Sequence, residues 1–122
     1  MAKTALLFNS RNNYELFEKI FFTKTSQDFT NYPIYDVNLR SGPDPMLVRK
    51  ELIETRNLID VPIDWDDEAK TEREKMSAAY CMEVCIAQIT EEAPEIEWLI
   101  WASHDMQLLG DNFLQRFEDF VD

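Results

Sequence analysis

Short apolar runs alternate with stretches of helical periodicity along this chain. That alternation restricts the fold more than any other feature. The runs are Ala5-Leu6-Leu7-Phe8, Tyr32 to Asn38, Leu58 to Val61 and Ile96 to Ala102. Each has the length and composition of a strand, and continuous apolar runs are how strands of a parallel sheet read. After the first run, Tyr14, Leu16, Phe17, Ile20 and Phe21 recur at helical spacing and predict a helix from about residue 13 to about 25. Asp44-Pro45 supplies an N-cap and a first-turn proline. A helix to about Arg56 follows, with Val48, Leu52 and Ile53 on its inner face. A third helix is expected from about Glu68 to about Thr90, charged at first and later apolar nearly all round. Asp111 can cap a last helix, where Phe113, Leu114, Phe117, Phe120 and Val121 form one stripe and predict docking. The order βαβαβαβα implies a parallel sheet covered by helices on both faces, a three-layer α/β/α architecture. A length of 122 residues suffices for one core and not for two, so residues 1–122 read as one domain.

Charge narrows the function. The net charge is −12, with 24 acidic residues against 12 basic ones. Binders of nucleic acid or of anionic membranes are expected to be basic, so neither partner is expected. An anionic small molecule would need a metal or a local basic group to neutralise it. The apolar run near the N-terminus is too short for a signal peptide, and no segment reads as a membrane span. A reducing, cytoplasmic location is the expectation. Cys81 and Cys85, four apart on a helical pattern, read as small core residues. With one histidine in the chain, a Cys/His zinc site lacks ligands. Asp64-Trp65-Asp66-Asp67-Glu68 packs four carboxylates into five positions. It has no EF-hand spacing and no turn glycine, so it reads as a solvated loop leading into a helix N-terminus that favours acids.

The candidate site lies at the end of the last strand. The run Trp98-Leu99-Ile100-Trp101-Ala102 stops abruptly at Ser103-His104-Asp105. It reads as a strand buried on both faces. In open α/β sheets ligands bind beyond the carboxyl ends of the strands, so these three polar residues are candidates for chemistry. The competing reading is a loop whose Asp and Ser only cap backbone groups.

Three segments together resemble a known family. Leu6 to Glu15, including Asn9-Ser10-Arg11-Asn12-Asn13, is similar to the first strand and turn of the nucleotide-sugar-binding half of A-fold glycosyltransferases, especially the large inverting "family 2" group. Ile34 to Ser41 followed by Asp44 is similar to that family's second strand and acidic turn. Trp98 to Met106, followed by Asp111-Asn112-Phe113-Leu114, is similar to its metal-binding strand end and next helix. The resemblance implies a mostly parallel open sheet of order 3-2-1-4, Rossmann-like and of the nucleotide-diphospho-sugar transferase type. It implies that Asn9, Arg11, Asn12, Asp36 and Asn38 contact the nucleoside of a UDP- or GDP-sugar. It also implies that Asp105, with His104 or Ser103, holds Mn²⁺ or Mg²⁺. The chain departs from the pattern in two ways. Ser103 stands where the family has the first acidic ligand, and the acceptor-binding half with its catalytic base has no counterpart here.

Two functions follow. The first is nucleotide-sugar binding, with glycosyl transfer if the domain is catalytic. The second is an interaction module that kept the fold without the chemistry. Whether the chain is an enzyme stays open, since no residue can be assigned as the base. The order 3-2-1-4 would also leave the last strand at the sheet edge, with Trp98 and Trp101 on opposite faces. An apolar edge of that kind invites a homodimer through that strand.

Overall fold

The computed structural model describes residues 3–9, 14–23, 29–37, 46–102 and 112–121, with the backbone alone at 46–49. Strand β1 (Thr4–Phe8) is followed by helix α1 (Tyr14–Leu16), which runs on as a π-helix (Phe17–Phe22). Then come β2 (Ile34–Val37), α2 (Met46–Arg56), β3 (Leu58–Val61), α3 (Glu72–Lys75), α4 (Ala78–Glu92), β4 (Trp98–Trp101) and α5 (Phe113–Val121). The four strands form one all-parallel sheet in the order β3-β2-β1-β4. The architecture is α/β and compatible with a Rossmann-like fold.

Strand alternation divides the core in two. Leu6, Phe8, Ile34 and Leu58 point to one face, where they pack with Tyr14, Phe17, Phe21, Leu52 and Leu114. Ala5, Leu7, Tyr35, Val37 and Val61 point to the other, against Cys81, Cys85 and Ile89 of α4. Every residue of β1 is buried. So is every residue of β2, and the doubly buried strands are therefore β1 and β2. This corrects the expectation for β4, whose residues are half-buried, with Trp98 41% exposed. The reason is position: β4 is the outer strand and α4 lies over β2 and β3.

The first face is built on phenylalanine. Phe8 lies 4.5 Å from Phe17 and 4.7 Å from Phe21, centroid to centroid. The helix carrying them widens into π geometry, and Thr23 closes it by donating its N–H to the Glu18 carbonyl five residues back. That wider turn brings Phe17 and Phe22, also five apart, into a stack at 4.9 Å. An α-helix would instead pair residues three and four apart. The sequence stripe locates this helix but does not announce its winding.

The third predicted helix is two helices. Thr71 and Glu74 form a reciprocal capping box at the start of α3. Ser77 then caps α4, accepting from the Tyr80 N–H at 3.2 Å while donating to the Glu74 carbonyl at 2.7 Å. Two caps six residues apart favour a break over a continuous helix. Asn57, with φ of 54°, turns the chain directly from α2 into β3, as asparagine does at a helix C-terminus. The last helix docks through Leu114, which is fully buried, and through Phe117, edge-to-face on Trp98 at 5.8 Å. Phe120 departs from the expected stripe and is 88% exposed.

One polar atom in β1 stands out. The Thr4 hydroxyl is buried and finds no hydrogen-bond partner among the described residues. Thr4→Val keeps the shape and removes the desolvated oxygen, so it should stabilise the fold by about 1 kcal/mol, read as a higher midpoint in urea. A lower midpoint would show that the hydroxyl is satisfied in solution.

Candidate functional site at the carboxyl edge of the sheet

The connections define where a crevice can open. From β1 to β2 and from β2 to β3 the chain crosses on the first face, through the π-helix and α2. From β3 to β4 it crosses on the second face, through α4. The direction of travel reverses between β1 and β4, which makes that boundary the topological switch point. The two strands are in register there, with Leu7 opposite Trp101, and the Ala102 N–H donates to the Leu7 carbonyl at 2.9 Å. The chain therefore leaves β1 at Asn9 and leaves β4 at Ala102 from the same sheet edge.

Asn9 is half-buried and is the first residue past β1. Asp36 lies in β2, opposite Phe8 on one side and Asp60 on the other, and is wholly buried. It shares the first face with Phe8 and Ile34, so it forms floor rather than rim. The other expected contacts, Arg11, Asn12, Asn38, Ser103, His104 and Asp105, lie outside the described residues. No group of three His, Cys, Asp or Glu side chains suited to a metal ion occurs among the described residues. Nor is any helix among them long and apolar enough to cross a membrane.

Two features were not anticipated from the sequence. At the opposite, amino edge of the sheet a cavity of ≈ 630 Å³ opens between Phe22, Phe29, Tyr32, Arg56 and Asn57. Beside it Arg56 forks onto the Glu18 carboxylate, its Nε donating to Oε2 at 3.1 Å, and its guanidinium lies 4.9 Å from the Phe22 ring centre. The hydrogen bond to Glu18 holds the Arg56 pKa above its ordinary value. Only the pairing of residues 38 positions apart reveals this, and no local pattern carries it.

The second feature is Lys75. It is 2% exposed and its ammonium donates to the backbone carbonyls of Trp65, at 2.9 Å, and of Asp67. It sits where a cation would sit under the acidic loop. The loop's carboxylates serve the backbone instead: Asp64 accepts from the Asp66 N–H and Asp67 from the Ala69 N–H, both at 3.0 Å. The cysteines are core residues, as their helical spacing leads one to expect. Cys81 and Cys85 are free and buried, and burial, then the neighbouring Cys81, pushes the Cys85 thiol up to about 12. A thiol held protonated in this way is a core side chain and not a nucleophile.

The carboxyl edge between β1 and β4 thus combines a switch point with a buried carboxyl group in the neighbouring strand. No protein-family model matches the sequence, and comparison with curated proteins finds no match either.

Proposed function

We propose that the chain is a nucleotide-diphospho-sugar-binding domain of the glycosyltransferase type, working at the carboxyl edge between β1 and β4. The observation that supports this reading is the reversal of the crossovers between those two strands. There the chain leaves β1 at Asn9 and β4 at Ala102 from one edge, and in sequence Arg11-Asn12 follow the one and Ser103-His104-Asp105 the other. Asn9, Arg11, Asn12 and Asn38 would contact the nucleoside, with Asp36 beneath them.

A diphosphate brought to a chain of net charge −12 needs a cation. Asp105, with His104 or Ser103, offers one carboxylate, one imidazole and one hydroxyl. That donor set suits Mn²⁺ better than Mg²⁺, which prefers oxygen ligands alone. Bound there, the ion would offset charge developing on a leaving diphosphate. Asn9 and its turn would fix the nucleoside so that the sugar faces outward from the edge.

The test is thermal unfolding with UDP, GDP and several nucleotide sugars, with and without Mn²⁺. A ligand at a hundred times its dissociation constant should stabilise the fold by about 2.7 kcal/mol. The stabilisation should require Mn²⁺ and vanish in Asp105→Asn. Unchanged binding in that variant would remove Asp105 from the site. No shift with any nucleotide would favour the second reading, an interaction module. Ser103, standing where the resembled family has its first acidic ligand, is the feature that favours it.

A further inference from the structure

The outer side of β4 has a definite hydrogen-bonding pattern. Its inner side is spent on β1: the Glu97 and Trp98 N–H groups both donate to the Lys3 carbonyl, at 2.8 and 3.1 Å, and Ala102 donates to Leu7. By strand alternation the N–H and C=O groups of Leu99 and Trp101 therefore face outward. No strand lies beyond β4 among the described residues.

The surface around that edge is apolar on both faces. On the first, Trp98 is 41% exposed and touches Phe117, one turn before the exposed Phe120. On the second, the half-buried Leu99 and Trp101 continue it. Trp98 and Phe120 together leave on the order of 250 Å² of apolar surface in water, since a whole large aromatic side chain spans about 150–250 Å². That is about a third of the roughly 800 Å² each partner gives to a standard interface. The half-buried Leu99, Ile100 and Trp101 and the edge backbone add to it.

We infer that this edge is where two copies of the chain meet, their β4 strands antiparallel about a two-fold axis at Ile100. Charge selects the place. A net charge of −12 repels a second copy over most of the surface. Trp98 to Ala102 carries no charge, and the flanking Glu97 is paired with Lys3 at 3.8 Å.

Hydrogen bonding selects the register. An axis normal to the sheet keeps each face continuous, so it must pass through a residue, either Leu99 or Ile100. Centring on Leu99 would require Glu97 to donate outward to Trp101, and its N–H is already given to Lys3. Centring on Ile100 lets Leu99 and Trp101 exchange bonds across the seam in both directions. It also sets Trp98 against Ala102, large against small. The two Ile100 residues then form a close, non-hydrogen-bonded pair with Cα atoms about 4.5 Å apart.

Sedimentation equilibrium tests the association, and two variants test its geometry. The mass should rise with concentration from 14.4 kDa toward twice that value. Leu99→Pro removes an outward N–H and leaves the bonds to β1, so it should give a monomer with an unchanged circular dichroism spectrum. Ile100→Cys should form an intermolecular disulfide on mild oxidation, because Cα atoms at that spacing suit one and both native thiols are buried. A single-chain mass at every concentration overturns the inference. So does a dimer that survives Leu99→Pro, or one in which Ile100→Cys fails to cross-link. In either case the edge would belong to another strand.

Discussion

Phe8→Ala should destabilise the fold by about 3–5 kcal/mol, the largest effect expected of any single substitution here. Phe8 is wholly buried in the central strand and touches both Phe17 and Phe21 of the π-helix. Removing its ring takes away transfer energy and two aromatic contacts. It also leaves a cavity that β1 cannot collapse to fill, because β2 and β4 hold that strand on both sides. Domains are stable by only about 5–15 kcal/mol, so the loss would be a large share of the total. Urea unfolding followed by circular dichroism gives the number. Glu54→Gln is the control and should shift stability by less than about 0.5 kcal/mol, since Glu54 is exposed on α2. A cost for Phe8→Ala below about 1 kcal/mol would mean that the phenylalanine cluster is not packed as described.

Lys75→Met should cost about 2–4 kcal/mol, because each carbonyl left without a donor costs about 1–3 kcal/mol. Methionine keeps most of the aliphatic stem, so the change isolates the ammonium. The two carbonyls, of Trp65 and Asp67, lie in the loop that carries four carboxylates. Losing the cation should therefore loosen the loop as well as lower stability. Hydrogen exchange gives a separate reading: the Asp66 and Ala69 amides, bonded to Asp64 and Asp67, should lose protection first. A neutral effect on both measurements would show that water satisfies the two carbonyls equally well.

The sequence alone determined the layer plan. Strand and helix periods differ, and each can be read from neighbouring residues, so the alternation of elements, the parallel sheet and the span of β3 were all legible. The strand order 3-2-1-4 came from the resemblance, and the observed pairings agree with it. Of the candidate site, the placement of Asn9 at the end of β1 and of Asp36 in β2 was legible as well. The wholesale burial of Asp36 was not, because it depends on what covers the sheet.

Tertiary structure decided the rest. The apolar run of β4 reads like a central strand, yet its exposure depends on which strands flank it and on α4 lying elsewhere. Phe120 fits the helical stripe as well as Phe117 does, but Phe117 meets Trp98 while Phe120 is left exposed. Lys75 looks like one more charge on a solvated helix until the loop ten residues back folds over it. The Arg56–Glu18 pair joins two elements that no local pattern relates. Periodicity fixes which side of an element is apolar. What that side meets, and which polar group is shut in with it, depends on contacts between residues distant in the chain, and those form only when the layers close.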